Sequence, residues 1–303
     1  YIHEQLQSIL WQDYENFRLL IHDDGSSDNT VEEIRKFEKE YPEKVKFIDD
    51  GISFRDPKRN FEHLLKMTDA DFVFLSDQDD IWLPSKVSLM VNKLEELENR
   101  YGKNTPILVF SDYALIDEFA YPIKSSLQEI WHVDPRKISL NLLLTVNAVS
   151  GCITSFNRAL IRLAVPFPKE VIMHDWWLAL VSSAAGNITF LPVVTTLYRQ
   201  HASNAVGVKG DGILKNIAWF VSAPSSAVSR FKQSGLRCIS QVKALQRTIE
   251  DGPGSDMVRQ KIIDDWIKYR TGPVLERFKY FREFQGAPVR VREFGRFFLW
   301  GEE

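Results

Sequence analysis

The sequence predicts an α/β protein, a mainly parallel sheet with helices on both faces, followed by an all-helical extension. Three observations predict it. Over the first hundred residues, short apolar runs alternate with amphipathic segments, the pattern of strands joined by helical crossovers. Two of those runs end directly in clustered aspartates, as expected where an open α/β sheet presents its carboxyl edge to ligands. Beyond the glycine-rich stretch Gly207-Val208-Lys209-Gly210-Asp211-Gly212, only helical periodicity remains.

In order, the pattern predicts helix 2–11, with Ile2, Leu6, Ile9 and Leu10 on one face, then strand 18–22. Helix 30–41 follows, opened by Thr30 and Glu33 at capping-box spacing. Next come strand 45–48, helix 58–68, strand 71–75 and helix 84–98, with Pro84 placed to open the last. Ile107-Leu108-Val109-Phe110 is a further strand, and 117–135 reads as a long loop. Strand 151–156, helices 158–164 and 176–185, and strands 188–191 and 194–198 complete a first unit, residues 1–208. The second unit, 209–303, reads as helices 213–222, 226–250, 256–284 and 289–300.

The chemistry concentrates in Ser76-Asp77-Gln78-Asp79-Asp80, directly after the apolar run Phe72–Leu75. Carboxylates this crowded repel one another unless a cation joins them. Hard oxygen ligands suit Mg²⁺ or Mn²⁺ shared with a diphosphate, and a solvated acidic loop is the alternative. A second strand-end turn, Asp23-Asp24-Gly25-Ser26-Ser27-Asp28, marks Asp24 as a ligand contact and Asp28 as a turn residue.

Taken with His174-Asp175-Trp176-Trp177 and Tyr198-Arg199-Gln200-His201 followed by Asn204, these motifs resemble the inverting family 2 glycosyltransferases of the GT-A fold, and within them the bacterial rhamnosyltransferase-like branch. The resemblance covers roughly residues 1 to 208. It implies transfer of a sugar from a dTDP- or UDP-linked donor to a glycan or lipid-linked acceptor in cell-surface polysaccharide synthesis. It further implies Asp175 as general base, Asp79 as metal ligand, and Asp77 on the ribose or a metal-bound water. Asp24 would contact the base, and His201 would complete the metal shell. Lys58 and Arg199 would meet the diphosphate, and Trp176 or Trp177 would stack on a sugar, although adjacent helix positions face different ways. Each has a plainer alternative: an N-cap for Asp175, surface solvation for Lys58, an anchored arginine for Arg199. His22, His63, His132 and His174 carry no assignment beyond structural. Members of that family begin with a strand ahead of the first helix, so the resemblance also implies that a central strand is missing from the front of this sequence.

A nucleotidyltransferase shares the fold and an acidic pair, but would want a Gly-rich basic loop after its first strand. A carbohydrate- or Ca²⁺-binding module with acidic loops leaves the Asp-Trp-Trp segment unexplained. Two distant cysteines, Cys152 and Cys238, give neither a zinc spacing nor a disulfide framework, which fits a reducing cytosol. No apolar run reaches the ~18 residues of a membrane span. Charge is uneven: residues 1–208 hold 21 basic and 30 acidic side chains, and residues 209–303 hold 17 and 11. Arg290, Arg292 and Arg296 among Phe294, Phe297, Phe298 and Trp300 fit peripheral contact with the anionic inner face of the plasma membrane; helix packing, or a homo-oligomer interface, is the alternative. No aromatic-basic module points to nucleic acid.

Overall fold

The computed structural model describes residues 1–126, 134–201, 225–250 and 256–273. Helix α1 (Ile2–Leu10) leads into strand β1 (Leu19–His22), helix α2 (Thr30–Glu40) and strand β2 (Val45–Ile48), which pairs parallel with β1. Leu6 of α1, Ile34 and Phe37 of α2, and Val45 and Phe47 of β2 bury one another, the outcome of the amphipathic spacing read above. Asn29 precedes α2 without a side-chain cap bond, so the expected capping box does not form.

Helix α3 (Pro57–Met67) starts at Asp56, whose carboxylate accepts from the Lys58 N–H, with Pro57 in the first turn. Strands β3 (Phe72–Phe74) and β4 (Ile81–Trp82) flank the acidic loop, and helix α4 (Lys86–Tyr101) follows Ser85. Pro84 therefore lies two residues ahead of the helix it was expected to open. Strand β5 (Ile107–Ile116) alternates its side chains between two cores: Ile107 and Val109 meet α4, and Leu108 and Phe110 meet the main cluster on the other face. Helices thus cover both faces, as expected.

The main sheet runs β3-β7-β5-β8-β4, with the short β6 (Pro122–Lys124) on β5. Strand β7 (Thr154–Asn157) is antiparallel to both β3 and β5, while β8 (Asn187–Arg199) is parallel to β5. The sheet is therefore mixed rather than mainly parallel; an apolar strand buried on both faces reads the same in either direction, so its sequence does not reveal its sense. A 3-10 turn at Gly151–Ile153 delivers β7. The two expected strands around Pro192 are one; the register steps from Phe110↔Phe190 to Asp112↔Val194, leaving Pro192 in a bulge where it owes no ladder bond.

Helix α5 (Leu140–Leu143), α6 (Arg158–Ala164) and α7 (His174–Ala185) stack over the main core. Helices α8 (Ser225–Glu250) and α9 (Met257–Thr271) join the same core through Cys238, Ile239, Val242, Leu245, Ile249, Ile263 and Trp266. This part of the helical extension packs on the α/β body. Arg290, Arg292, Arg296, the expected helices 213–222 and 289–300, and His132 lie outside the described residues. Among the described residues no helix is long and apolar enough to cross a membrane. Strands β1 and β3 belong to separate sheets and face each other across a cleft of about 1520 Å³ that reaches Asp77, Asp79 and Asp175.

Candidate active site

Asp77, Gln78 and Asp79 of the acidic loop form part of one wall of the cleft. The pairing of β4 with β8, Ile81 opposite Leu197, brings the end of β8 under the acidic loop. His201 Nε2 consequently lies 2.8 Å from Asp79 Oδ2. Arg199 donates its backbone N–H to Asp80 Oδ1 at 3.2 Å and its Nε–H to the Asp79 carbonyl at 2.9 Å. Its remaining guanidinium nitrogens donate to the Glu118 carbonyl and, at 2.5 Å, to Glu4 Oε2. Only 2 % of Arg199 is exposed, and its contacts shape the Asp79–Asp80 turn, the anchored placement given above as the alternative to a diphosphate contact. Tyr1 stacks on His201 at 4.9 Å and lies under the Arg199 guanidinium.

The electrostatics of the loop favour an added cation. Burial, reinforced by the charges of Asp79 and Asp175, pushes the Asp77 carboxyl up to about 7. Burial, with Asp77 and Asp79, drives Asp80 well above the ordinary carboxylate range. Asp80 is fully buried beside the Cys152 side chain, and among the described residues its Oδ2 has no hydrogen-bond partner within ordinary geometry. Asp77, Asp80 and Cys152 bring ligand atoms within 4.8 Å of one another. The Cys152 thiol, raised by burial, stays protonated, so the available donors are carboxylate oxygens. Such a set fits a hard divalent ion such as Mg²⁺ or Mn²⁺. Lys86, buried beside it and lowered by that burial to about 8, donates to the Cys152 carbonyl at 2.5 Å and to Thr196 Oγ1 at 2.8 Å. It offsets part of the negative charge from behind.

Across the cleft, Asp175 sits in the first turn of α7, one residue inside a helix that begins at His174. It is not the N-cap, which is Met173. Its Oδ1 accepts from Asn147 Nδ2 at 3.0 Å and from the Trp176 N–H at 2.7 Å, and its Oδ2 from the Gly151 N–H at 3.1 Å. A Cβ on Gly151 would lie 3.5 Å from Asp175 Cβ and 3.2 Å from His174 Nε2, so glycine lets the backbone approach closely.

Neither expected sugar platform, Trp176 or Trp177, lines the main cleft. Trp177 is fully buried and donates to the Ala164 carbonyl; Trp176 is nearly so and donates to that of Leu143. Trp176 lines a separate cavity of about 150 Å³ with Thr145, Cys238 and Trp266, away from Asp79. Asp24 does line the main cleft, but its carboxylate gathers the backbone N–H groups of Phe54, Arg55 and Asp56, ordering the loop before α3. Gly25 beside it has φ +99°, as the tight turn requires. Lys58 points its ammonium at Asp56 Oδ2, 3.5 Å away.

Sequence reasoning passed over Asp80, Lys86, Asn147, Gly151 and Glu4. Asp80 was visible in the acidic run itself. The others become site residues only through partners 24 to 195 positions away, for which a single sequence carries no signal.

A carboxylate cluster at a strand end in a mixed α/β sheet and a buried aspartate in the first turn of α7 thus line one cleft. The chain belongs to glycosyl transferase family 2, whose description matches residues 1–160. Among curated relatives it is 26% identical over 219 residues to the dTDP-rhamnosyl transferase RfbG of Shigella flexneri, spanning 68% of this chain and 71% of that protein. It is 27% identical over 177 residues to the Escherichia coli UDP-Glc:alpha-D-GlcNAc-diphosphoundecaprenol beta-1,3-glucosyltransferase WfgD, spanning 58% of this chain and 62% of that one. Its fold is similar to that of Staphylococcus aureus TarS bound to UDP, with TM-score 0.55 and 14% identity over 98% of this chain and 76% of that one. The Pyrobaculum calidifontis mannosyltransferase PcManGT, in complex with GDP-Man and Mn²⁺, gives TM-score 0.54 and 14% identity over 91% and 67%.

Proposed function

We propose that this chain is an inverting glycosyltransferase that moves a sugar, rhamnose in the first instance, from a dTDP- or UDP-linked donor to a hydroxyl of a glycan or lipid-linked acceptor during cell-surface polysaccharide assembly. The observation that carries the reading is Asp175: a buried carboxylate, held from behind by Asn147 and Gly151, that opens onto the same cleft as the acidic loop. Asp77, Asp79 and Asp80, with His201 beside them, would hold a divalent cation. Bound there, Mg²⁺ or Mn²⁺ supplies charge neutralisation for a leaving diphosphate.

The remaining roles belong to the chain's own groups. Asp175 accepts the proton of the acceptor hydroxyl as that oxygen attacks the sugar carbon in a single displacement; such a base contributes about 10²–10⁴ in rate. Asn147 and the Gly151 N–H fix its oxygens so that no rotamer is lost at the moment of reaction. Arg199, through Asp79 and Asp80, positions the acidic loop. Asp24 and Lys58 remain on the donor side, with Asp24 acting through the loop it orders. Peripheral attachment at the inner face of the plasma membrane is part of the proposal, resting on the basic, aromatic composition of residues 209–303.

The test is product formation from dTDP-rhamnose, UDP-glucose and GDP-mannose with a lipid-diphosphate glycan acceptor, by mass and anomeric NMR. Products of retained anomeric configuration, or none from any donor, reject the reading.

A further inference from the structure

Outside the carboxylate loop, a second cluster of metal-ligating side chains sits where β1, the loop after β2 and α3 converge. His22 ends β1, Asp50 follows β2, and His63 lies on α3. His22 Nε2 is 3.2 Å from Asp50 Oδ1, and His63 Nε2 is 2.7 Å from Asp50 Oδ2. One ligand atom from each of the three falls within 4.8 Å of the others. The two imidazoles meet edge to face at 5.0 Å, and Phe54 covers both, at 5.9 Å from His22 and 5.3 Å from His63.

Asn60 supplies an independent observation. Its Oδ1 lies 2.5 Å from His22 Nδ1, while its Nδ2 donates to the His22 carbonyl, which fixes the orientation of the amide. His22 Nδ1 must therefore donate. A neutral imidazole has one donor and one acceptor nitrogen, so Nε2 then turns a lone pair toward the Asp50 carboxylate. That contact is favourable only with a positive charge between the two atoms, a second proton or a metal ion. Only 2 % of the His22 side chain is exposed, whereas Asp50 and His63 are 27 % and 17 % exposed, so the open side of the cluster faces solvent.

We propose that His22, Asp50 and His63 form a metal site distinct from the carboxylate loop, taking Zn²⁺ or a similar borderline transition-metal ion. Two imidazoles and one carboxylate are a nitrogen-rich set that suits zinc over Mg²⁺. Ligands about 2.0–2.1 Å from a tetrahedral zinc stand roughly 3.3 Å apart, close to the His22–Asp50 separation. The Asn60–His22 contact is the outer hydrogen bond that metal-bound histidines make, holding Nε2 toward the ion. Such an ion would lock β1 to α3 beside the cleft, independently of the glycosyl-transfer chemistry.

The experiment uses the whole chain, stripped with chelator and dialysed against Zn²⁺ with excess Mg²⁺ occupying the carboxylate loop. Zinc per chain is measured by mass spectrometry, affinity by calorimetry, and Co²⁺ serves as a coloured substitute. Wild-type protein should retain one zinc equivalent that Asp50→Asn and His63→Gln both lose, and the cobalt bands should vanish with it. Asn60→Ala should bind zinc about 10–100-fold more weakly. Mn²⁺-supported donor turnover should persist in His63→Gln. Equal zinc content in wild type and either folded variant overturns the proposal, since zinc then resides elsewhere. Wild-type protein that holds no zinc, or shows no cobalt bands, overturns it without any variant.

Discussion

Replacing Asp175 by asparagine separates its chemical from its structural role. Oδ1 accepts two hydrogen bonds, from Asn147 and from the Trp176 N–H, and Oδ2 accepts one, from Gly151. An asparagine keeps a single acceptor oxygen. Placed on the Oδ1 side it retains two bonds and sets its NH₂ against the Gly151 N–H; the flipped amide retains one and opposes two donors. The first orientation wins and leaves one buried N–H unsatisfied, at a cost of about 1–3 kcal/mol. For a domain of this size each kcal/mol lowers Tm by about 2–4 °C, so the melting point should fall by roughly 2–12 °C. Loss of the base should lower turnover about 10²–10⁴-fold. Donor affinity should stay within a few-fold of wild type, because the base serves the acceptor. The assay pairs steady-state transfer with calorimetric donor binding, both at a temperature where the variant is folded. Turnover within threefold of wild type would refute the base assignment, and an equal loss of donor affinity would make Asp175 a nucleotide or metal ligand instead.

Asp79→Asn removes one charge from the loop and little volume; Mn²⁺-dependent donor turnover should disappear while circular dichroism is unchanged, and a near-normal Mn²⁺ titration would reject the metal assignment. The pH dependence has a definite sign. Asp77 titrates near 7 in the folded chain, raised chiefly by burial, so between about 4 and 7 the folded state holds a proton that the unfolded state has released. Stability without metal should therefore decline as pH rises through that window, and saturating Mn²⁺ should reverse the decline; melts at pH 5 and pH 7.5, with and without the ion, measure it. Gln at Arg290, Arg292 and Arg296 should weaken co-sedimentation with anionic liposomes, each charge contributing about 1 kcal/mol, while transfer to a soluble acceptor survives. Wild-type protein that ignores such liposomes at low salt ends the membrane reading.

Features that depend on neighbours along the chain are legible in its residues alone. Apolar runs followed by aspartates located β1, β3 and the acidic loop, because a strand end and the carboxylates it presents are contiguous. Amphipathic spacing placed α1 to α4 to within a few residues, because the buried face of a helix is written at intervals of three and four. Tertiary structure decided direction and partnership. Strand β7 runs against its neighbours β3 and β5 although its composition allows either sense. Trp176 and Trp177 stand beside a catalytic candidate in sequence, yet the packing of α7 on α5, α6 and α9 makes them core. Arg199 carries the charge a diphosphate would need, but the β4–β8 pairing commits it to Asp79 and to Glu4, 195 positions away. His22 and His63 read singly as structural residues, and only the meeting of three elements brings both within reach of Asp50. In each case the deciding interaction joins residues distant in the chain, so its energy depends on geometry that no local pattern encodes.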